Sequence, residues 1–241
     1  MKPVLVLRAV EDATRTAEKL RALGITSVLS PVLEIVPTAA KIPQGKYDAA
    51  LVSSAKGVEL SDDDAEALKT LPFHAIGAKT AEAARARGWR PDIVAGSAEA
   101  ILPLLLARYP RRARFLYLAG CDRQSTLEAG LCASGHEITA VEVYEARAVQ
   151  ALSPEAVAAL AANRIDAALH YSRRSAEIFL TLARALGIIE QLRIVSHFAL
   201  SEEVAKPLLR EGFVNVSVAE RPDEEHLLAL LAKRVSGHIR N

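Results

Sequence analysis

The sequence predicts an α/β fold of two similar domains, each a parallel sheet flanked by helices, joined by two extended β linkers that leave the first domain discontinuous. Three observations predict it. Short runs of Val, Ile and Leu alternate with longer Ala/Leu/Glu/Arg segments of helical period, as buried parallel strands linked by crossover helices do. One β-α-β pattern occurs twice along the chain. Two extended, β-branched segments, Ser27–Thr38 and Ile138–Gln150, stand at equivalent places in the repeats and are too long for central strands.

In chain order, strands are expected at Val4–Leu7, Ser27–Val36, Ala49–Val52, Phe73–Ile76, Asp92–Val94, Phe115–Leu118, Ile138–Ala146, Ala167–His170, Arg193–Ser196 and Asn215–Val218. Helices fill most intervals. Gly24, Gly88, Gly135, Gly187 and Gly212 each follow a periodic segment, where a left-handed residue ends a helix.

The repeat is found without gaps in three blocks. Val4–Leu7 lies over Phe115–Leu118 at a shift of 111 (115 minus 4), which also places Gly24 on Gly135. Asp48-Ala-Ala-Leu lies over Asp166-Ala-Ala-Leu at 118 (166 minus 48), carrying Ser54 onto Ser172. The third block, Ala75–Trp89 over Ala199–Phe213, has a shift of 124 (199 minus 75). Slowly rising shifts are what insertions between duplicated units produce. The expected domains are residues 1–36 with 148–241, and residues 37–147 between them, with a cleft where the chain crosses twice.

The composition narrows the function classes. Thirty Lys and Arg against 29 Asp and Glu give a net charge of +1, which argues against a protein built to neutralise many phosphates. Arg108, Arg111, Arg112 and Arg114, the densest basic stretch, read as a solvated helix end. Cys121 and Cys132 stand too far apart for a redox or zinc motif, and the six histidines lack the spacing of a helical metal pair, so free thiols and no metal are expected. No apolar stretch reaches the roughly 20 residues of a membrane span, and no cleavable apolar segment precedes Val4, so a cytoplasmic protein without membrane or nucleic-acid partners is expected.

In open parallel sheets ligands bind beyond the carboxyl ends of the strands, where helix N-termini present free N–H groups. The residues to read there are Arg8, Ser53 to Lys56, Gly77 to Thr80, Ala119 to Arg123, Tyr171 to Arg174, and His197 to Ser201. Hydroxyls dominate and no carboxylate pair stands among them. Ser54, Ser172 and Ser201 read first as helix N-caps, worth about 1 kcal/mol each, a role compatible with ligand contact. Gly77-Ala-Lys-Thr80 is not a phosphate loop, since the required Gly-Lys-Thr and preceding glycine are missing, and no GxGxxG follows any strand. Asp62-Asp-Asp64 reads as a solvated acidic face. Tyr144 lies in the second long segment, where it is equally a linker aromatic or a phenol facing the cleft as a proton donor.

The segments Val4-Leu-Val-Leu-Arg8, Leu29-Ser-Pro-Val-Leu-Glu-Ile-Val-Pro37, Tyr47-Asp-Ala-Ala-Leu-Val-Ser-Ser-Ala-Lys-Gly-Val58, Ala75-Ile-Gly-Ala-Lys-Thr-Ala81, Leu116-Tyr-Leu-Ala-Gly120, Val143-Tyr-Glu145 and Val218-Ala-Glu-Arg-Pro222 come in an order that resembles the uroporphyrinogen-III synthases. The likeness spans essentially the whole chain. It implies cyclisation of a linear tetrapyrrole, hydroxymethylbilane, with inversion of the last ring and loss of water, by a monomer without metal or organic cofactor. It also implies Tyr144 as the group assisting departure of the hydroxyl, and Thr80 as the threonine of the Gly-x-x-Thr-Ala turn. Arg8, Ser53, Ser54, Lys56, Gly77, Lys79, Ser172, Arg173 and Ser201 would then bind the carboxylate-rich substrate. The chain departs from the family pattern at Ala9, where proline is usual, at Ser172-Arg-Arg-Ser175, and at Ser201-Glu-Glu-Val-Ala205, where Val204 replaces a second threonine. A rival reading is a non-catalytic two-domain binder of an anionic small molecule derived from this family.

Overall fold

The structure, a computed structural model, describes residues 2–238. The chain divides into two compact units, Met1–Glu34 with Arg147–Asn241, and Ile35–Ala146. It passes from the first to the second within one strand and returns within another.

In the first unit the strands are β1 (Val4–Val6), β2 (Ser27–Leu29), β9 (Ala167–His170), β10 (Ser196–Ala199) and β11 (Val216–Val218), ordered β2-β1-β9-β10-β11 with every neighbouring pair parallel. Around them lie α1 (Val10–Ala22), α6 (Pro154–Ala161), α7 (Arg173–Ala185), α8 (Ile189–Leu192), α9 (Glu202–Arg210) and α10 (Glu224–His238). Strands β1 and β9 are buried throughout, because helices cover both faces of a parallel sheet. Leu5, Leu7, Ala168 and Phe179 build the core on one face, and Val4, Val6, Leu169 and Leu227 on the other.

The second unit carries β3 (Leu33–Pro37), β4 (Ala49–Val52), β5 (Phe73–Ile76), β6 (Pro91–Ala95), β7 (Arg114–Gly120) and β8 (Glu137–Ala148), ordered β3-β8-β7-β4-β5-β6. Its helices are α2 (Ala55–Glu59), α3 (Ala78–Ala86), α4 (Ala98–Arg108) and α5 (Thr126–Ala133), with a 3-10 segment at Asp63–Thr70.

The internal repeat is realised to the residue. Leu5 pairs with Ala168 and Leu116 with Ala50, positions related by 111 (116 minus 5) and 118 (168 minus 50). Leu5 also pairs with Val28, as Leu116 does with Thr139, again at 111 (139 minus 28). Hence β7, β8, β4, β5 and β6 follow the same spatial plan as β1, β2, β9, β10 and β11, with the chain entering at a different strand. Each sheet reverses its strand order once, between β1 and β9 in one unit and between β7 and β4 in the other.

Two expected strands are corrected. The segment expected as one strand at Ser27–Val36 is two, because Pro31 has no N–H to give a ladder and falls in the gap between β2 and β3. The strand expected at Arg193–Ser196 begins at Ser196, three residues later than expected. Ile194 is 63% exposed, whereas Ser196 to Ala199 are all buried, so burial and not the apolar run sets the strand. His197 is therefore inside the sheet and not at its end. The five helix-ending glycines all take φ between +68° and +83°. Within the basic stretch, Arg108 pairs with Asp92 at 3.4 Å and Arg114 with Glu137 at 3.1 Å, both at the surface. Asp62 is exposed and bonded to Lys41 at 2.7 Å, while the side chains of Asp63 and Asp64 lie outside the described residues.

Candidate functional site

Strand-order reversals leave a crevice at the carboxyl ends of the two diverging strands, the usual ligand position in such sheets. In the second unit these ends are Gly120 to Arg123 after β7 and Ser53-Ser54 after β4. Ser54 caps α2, its hydroxyl accepting from Lys56 N at 3.2 Å. Lys56 bonds to Glu59 at 2.7 Å. Ser53 is partly exposed, and its hydroxyl lies 2.5 Å from that of Tyr117. Tyr117 is 3% exposed in β7, and burial pushes its phenol above the ordinary tyrosine range, with the Ser53 hydrogen bond opposing.

Tyr144 stands opposite Gly120 in the β7–β8 register. A Cβ placed on Gly120 would lie 2.6 Å from Cζ of Tyr144 and 2.8 Å from its hydroxyl oxygen, so any side chain at position 120 must displace the end of the Tyr144 ring. The following loop is pinned by Arg123, which donates to the Gly120 carbonyl at 2.9 Å, to Glu128 at 2.9 Å and to Glu142 at 2.7 Å. The hydrogen bond from Arg123 holds the Glu142 carboxyl below its usual value.

Gly77 opens α3 with φ +93° and ψ 142°, and its N–H reaches the Ala95 carbonyl at 2.7 Å. This turn places Lys79 in solvent and Thr80, 4% exposed, in the first turn of α3.

The corresponding strand ends of the first unit are filled by the chain's own charges. Arg8 lies 4.0 Å over the Tyr171 ring and donates to Glu224 at 2.8 Å. The same Glu224 oxygen accepts from Thr16 at 2.6 Å and from the Tyr171 hydroxyl at 3.0 Å, and Lys19 binds the other. Burial alone would raise the Glu224 carboxyl, but Lys19, Thr16, Tyr171 and Arg8 together hold it below its ordinary value. Burial pushes the Tyr171 phenol far up. Ser172 and Ser201 are N-caps, accepting from Ser175 N at 3.1 Å and from Val204 N at 3.4 Å. Arg173 bridges Glu177 and Glu203, each at 2.8 Å.

The sequence-predicted residues thus fall into two groups. Ser53, Ser54, Lys56, Gly77, Lys79, Thr80 and Tyr144 belong to the second unit, whereas Arg8, Ser172, Arg173 and Ser201 belong to the first, where Arg8 is already paired. Gly120 and Tyr171 stand among the strand-end residues the sequence singles out, whereas the Tyr117–Ser53 contact and the Glu224 cluster are not announced by it. Among the described residues no group of His, Cys, Asp and Glu could hold a metal ion, and no helix is long and apolar enough to cross a membrane.

The sequence matches the family described as uroporphyrinogen-III synthase HemD over residues 14–229. The chain belongs to the uroporphyrinogen-III synthase family. A uroporphyrinogen-III synthetase crystal structure from Helicobacter pylori is 18% identical over 97% of this chain and 99% of that one, with a TM-score of 0.60. At that identity the likeness shows a shared fold. A mutant uroporphyrinogen III synthase from the extremely thermophilic bacterium Thermus thermophilus is 20% identical over 99% of this chain and 98% of that chain, with a TM-score of 0.48. A comparison with curated proteins finds no match.

Proposed function

We propose that this chain is a hydro-lyase that cyclises hydroxymethylbilane to uroporphyrinogen III, inverting ring D and releasing water. The observation that carries the reading is Tyr144, a partly exposed phenol whose ring end lies over Gly120 at the carboxyl end of β7, where an added Cβ would come within 2.6 Å of its Cζ. Family membership supplies the substrate class.

The reaction asks for a proton to leave with the substrate hydroxyl, for a flexible chain to be held coiled, and for water to be kept from the azafulvene that forms. A phenol can lend its proton to a departing hydroxyl. Thr80, at the start of α3, and the free N–H groups of the first helical turns serve as donors to substrate oxygens. Ser53, Ser54, Lys56 and Lys79 belong to the same unit, and in the other unit Ser172, Arg173 and Ser201 stand at strand ends as further candidates for binding carboxylates. Most of the acceleration then comes from positioning.

The test is product analysis by isomer. Purified protein given hydroxymethylbilane should yield the type III product faster than the spontaneous symmetric type I isomer accumulates. Type I alone would overturn the proposal in favour of a non-catalytic binder.

A further inference from the structure

We infer that Tyr117 is a positioning residue, a buried phenol that turns the Ser53 hydroxyl outward as a fixed hydrogen-bond donor to a substrate carboxylate. The inference rests on the proposed function of the same site.

The geometry begins in the register. Tyr117 sits opposite Leu51 in the parallel β4–β7 pair, and Ser53 lies two residues further along, on the same face. Two strand residues span roughly 6.6 Å, about the reach of a phenol leaning along its strand. The two hydroxyls meet at 2.5 Å, and among the described residues Ser53 is the one hydrogen-bond partner of the Tyr117 hydroxyl. At 3% exposure the phenol has little access to solvent, whereas Ser53 is partly exposed. With Ser53 its one partner among the described residues, the buried phenol satisfies its O–H on the serine oxygen. Ser53 then has its own proton free to donate from its partly exposed side. A serine that otherwise rotates among three wells is held in one, which lowers the entropy lost when an acceptor arrives.

The duplication shows what this position does when an acceptor is present. The residue equivalent to Ser53 is Tyr171, at the shift of 118 (171 minus 53) that aligns β9 with β4. Its hydroxyl points at a carboxylate, donating to Glu224 at 3.0 Å. In the first unit the chain supplies that carboxylate itself. In the second, the residue that Arg8 becomes is Ala119, at 111 (119 minus 8), so neither Arg8 nor Tyr171 has a counterpart of its own kind there, and the guanidinium of the following loop, Arg123, is taken up by Gly120, Glu128 and Glu142. A short hydroxyl supported from below remains, and its complement is a carboxylate from outside the chain.

The test is a cycle of Tyr117→Phe, Ser53→Ala and the double variant, assayed with hydroxymethylbilane. Tyr117→Phe is expected to raise KM about 3–10-fold with kcat within about twofold, since it frees a donor used in binding. Ser53→Ala should do the same, and the double variant should be no worse than Ser53→Ala alone. An unchanged KM in Tyr117→Phe beside a raised KM in Ser53→Ala overturns the inference and leaves Tyr117 as core. Fully additive effects overturn it as well. Unchanged KM in Ser53→Ala, with type III product still formed, removes Ser53 from binding and ends the inference while the proposed function stands. Absence of type III product from the unaltered protein is the separate failure of that function. Thermal melting accompanies each variant. Should Tyr117→Phe fail to fold, Tyr117→Met, of similar reach without the hydroxyl, takes its place in the cycle with the same outcomes.

Discussion

A single missing methyl group decides where the proposed acid of this synthase-family chain can sit. With 2.6 Å between a hypothetical Cβ at position 120 and Cζ of Tyr144, Gly120→Ala must displace the ring or the strand end. The atoms met are the far end of a partly exposed side chain, so the ring can swing aside at small cost in stability. The expected result is a melting temperature little changed together with a kcat loss approaching that of Tyr144→Phe, for which about 10²-fold is expected if the phenol lends its proton. A Gly120→Ala variant that turns over normally would show that ring position does not matter. Tyr144 is legible in the sequence because it stands in a segment too long for a central strand. Gly120 is legible as a strand-end residue, but its contact with Tyr144 is not, because that neighbour is brought over it by strand register and not by spacing. Tyr117 is hidden for another reason: an aromatic in a central strand reads as core, and its polar end is revealed only by what the next strand places above it. Arg8 reads as a substrate ligand from its strand-end position. Its partner Glu224 lies 216 positions away, a pairing no local pattern announces.

At the level of elements, Glu224 fastens the start of α10 to the ends of β1 and β9 and to α1. The contributions are unequal. Lys19 is 56% exposed and its charge is well screened, so it adds little. Arg8 and Glu224 are 23% and 20% exposed, and Thr16 is fully buried, so these groups carry the clasp. Glu224→Ala leaves two hydroxyls without their acceptor and Arg8 with Asp12 as its remaining carboxylate at 3.3 Å, and should cost about 1–3 kcal/mol, seen as a lower urea midpoint. Glu224→Gln keeps an acceptor oxygen and should lose less. Equal stability in all three proteins would mean the helix is held by its apolar face alone, through Leu227, Leu228 and Leu231. Element identity is readable where the signal is local, as at the serine caps of α2, α7 and α9. It fails where burial overrides pattern: nothing in the apolar run near Ile194 distinguishes an exposed residue from the start of β10.

Across the whole molecule, duplication makes the fold legible, because one misread strand in a repeat is checked by its twin. Duplication did not copy the buried polar groups, and these set the response to acid. His74 is fully buried, accepts from Ile93 N at 3.3 Å and meets the Tyr109 hydroxyl at 2.8 Å. In the other unit His197 gives its Nε2 proton to the Leu192 carbonyl at 3.0 Å and takes one on Nδ1 from His170, also at 3.0 Å. Nδ1 of His170 then has no hydrogen-bond partner among the described residues. All three rings are therefore neutral in the fold. Burial lowers His74 and His197 from 6.5 to about 4, and burial together with its neighbour His197 lowers His170 well below 6.5. An unfolded chain binds these protons as pH drops through 6.5, while the folded chain refuses them until about 4. Stability must consequently fall on acidification across that window, by up to about 1.4 kcal/mol per pH unit for each such group. Glu224, held below its ordinary value, weakens the fold in the same direction, but only at lower pH. The urea midpoint should thus drop steadily from about pH 7 to about pH 5, and His74→Gln, which keeps a donor and an acceptor but cannot titrate, should flatten the decline. A midpoint constant over that range, or a slope untouched by the substitution, would show that the buried rings already share their protons with the unfolded state.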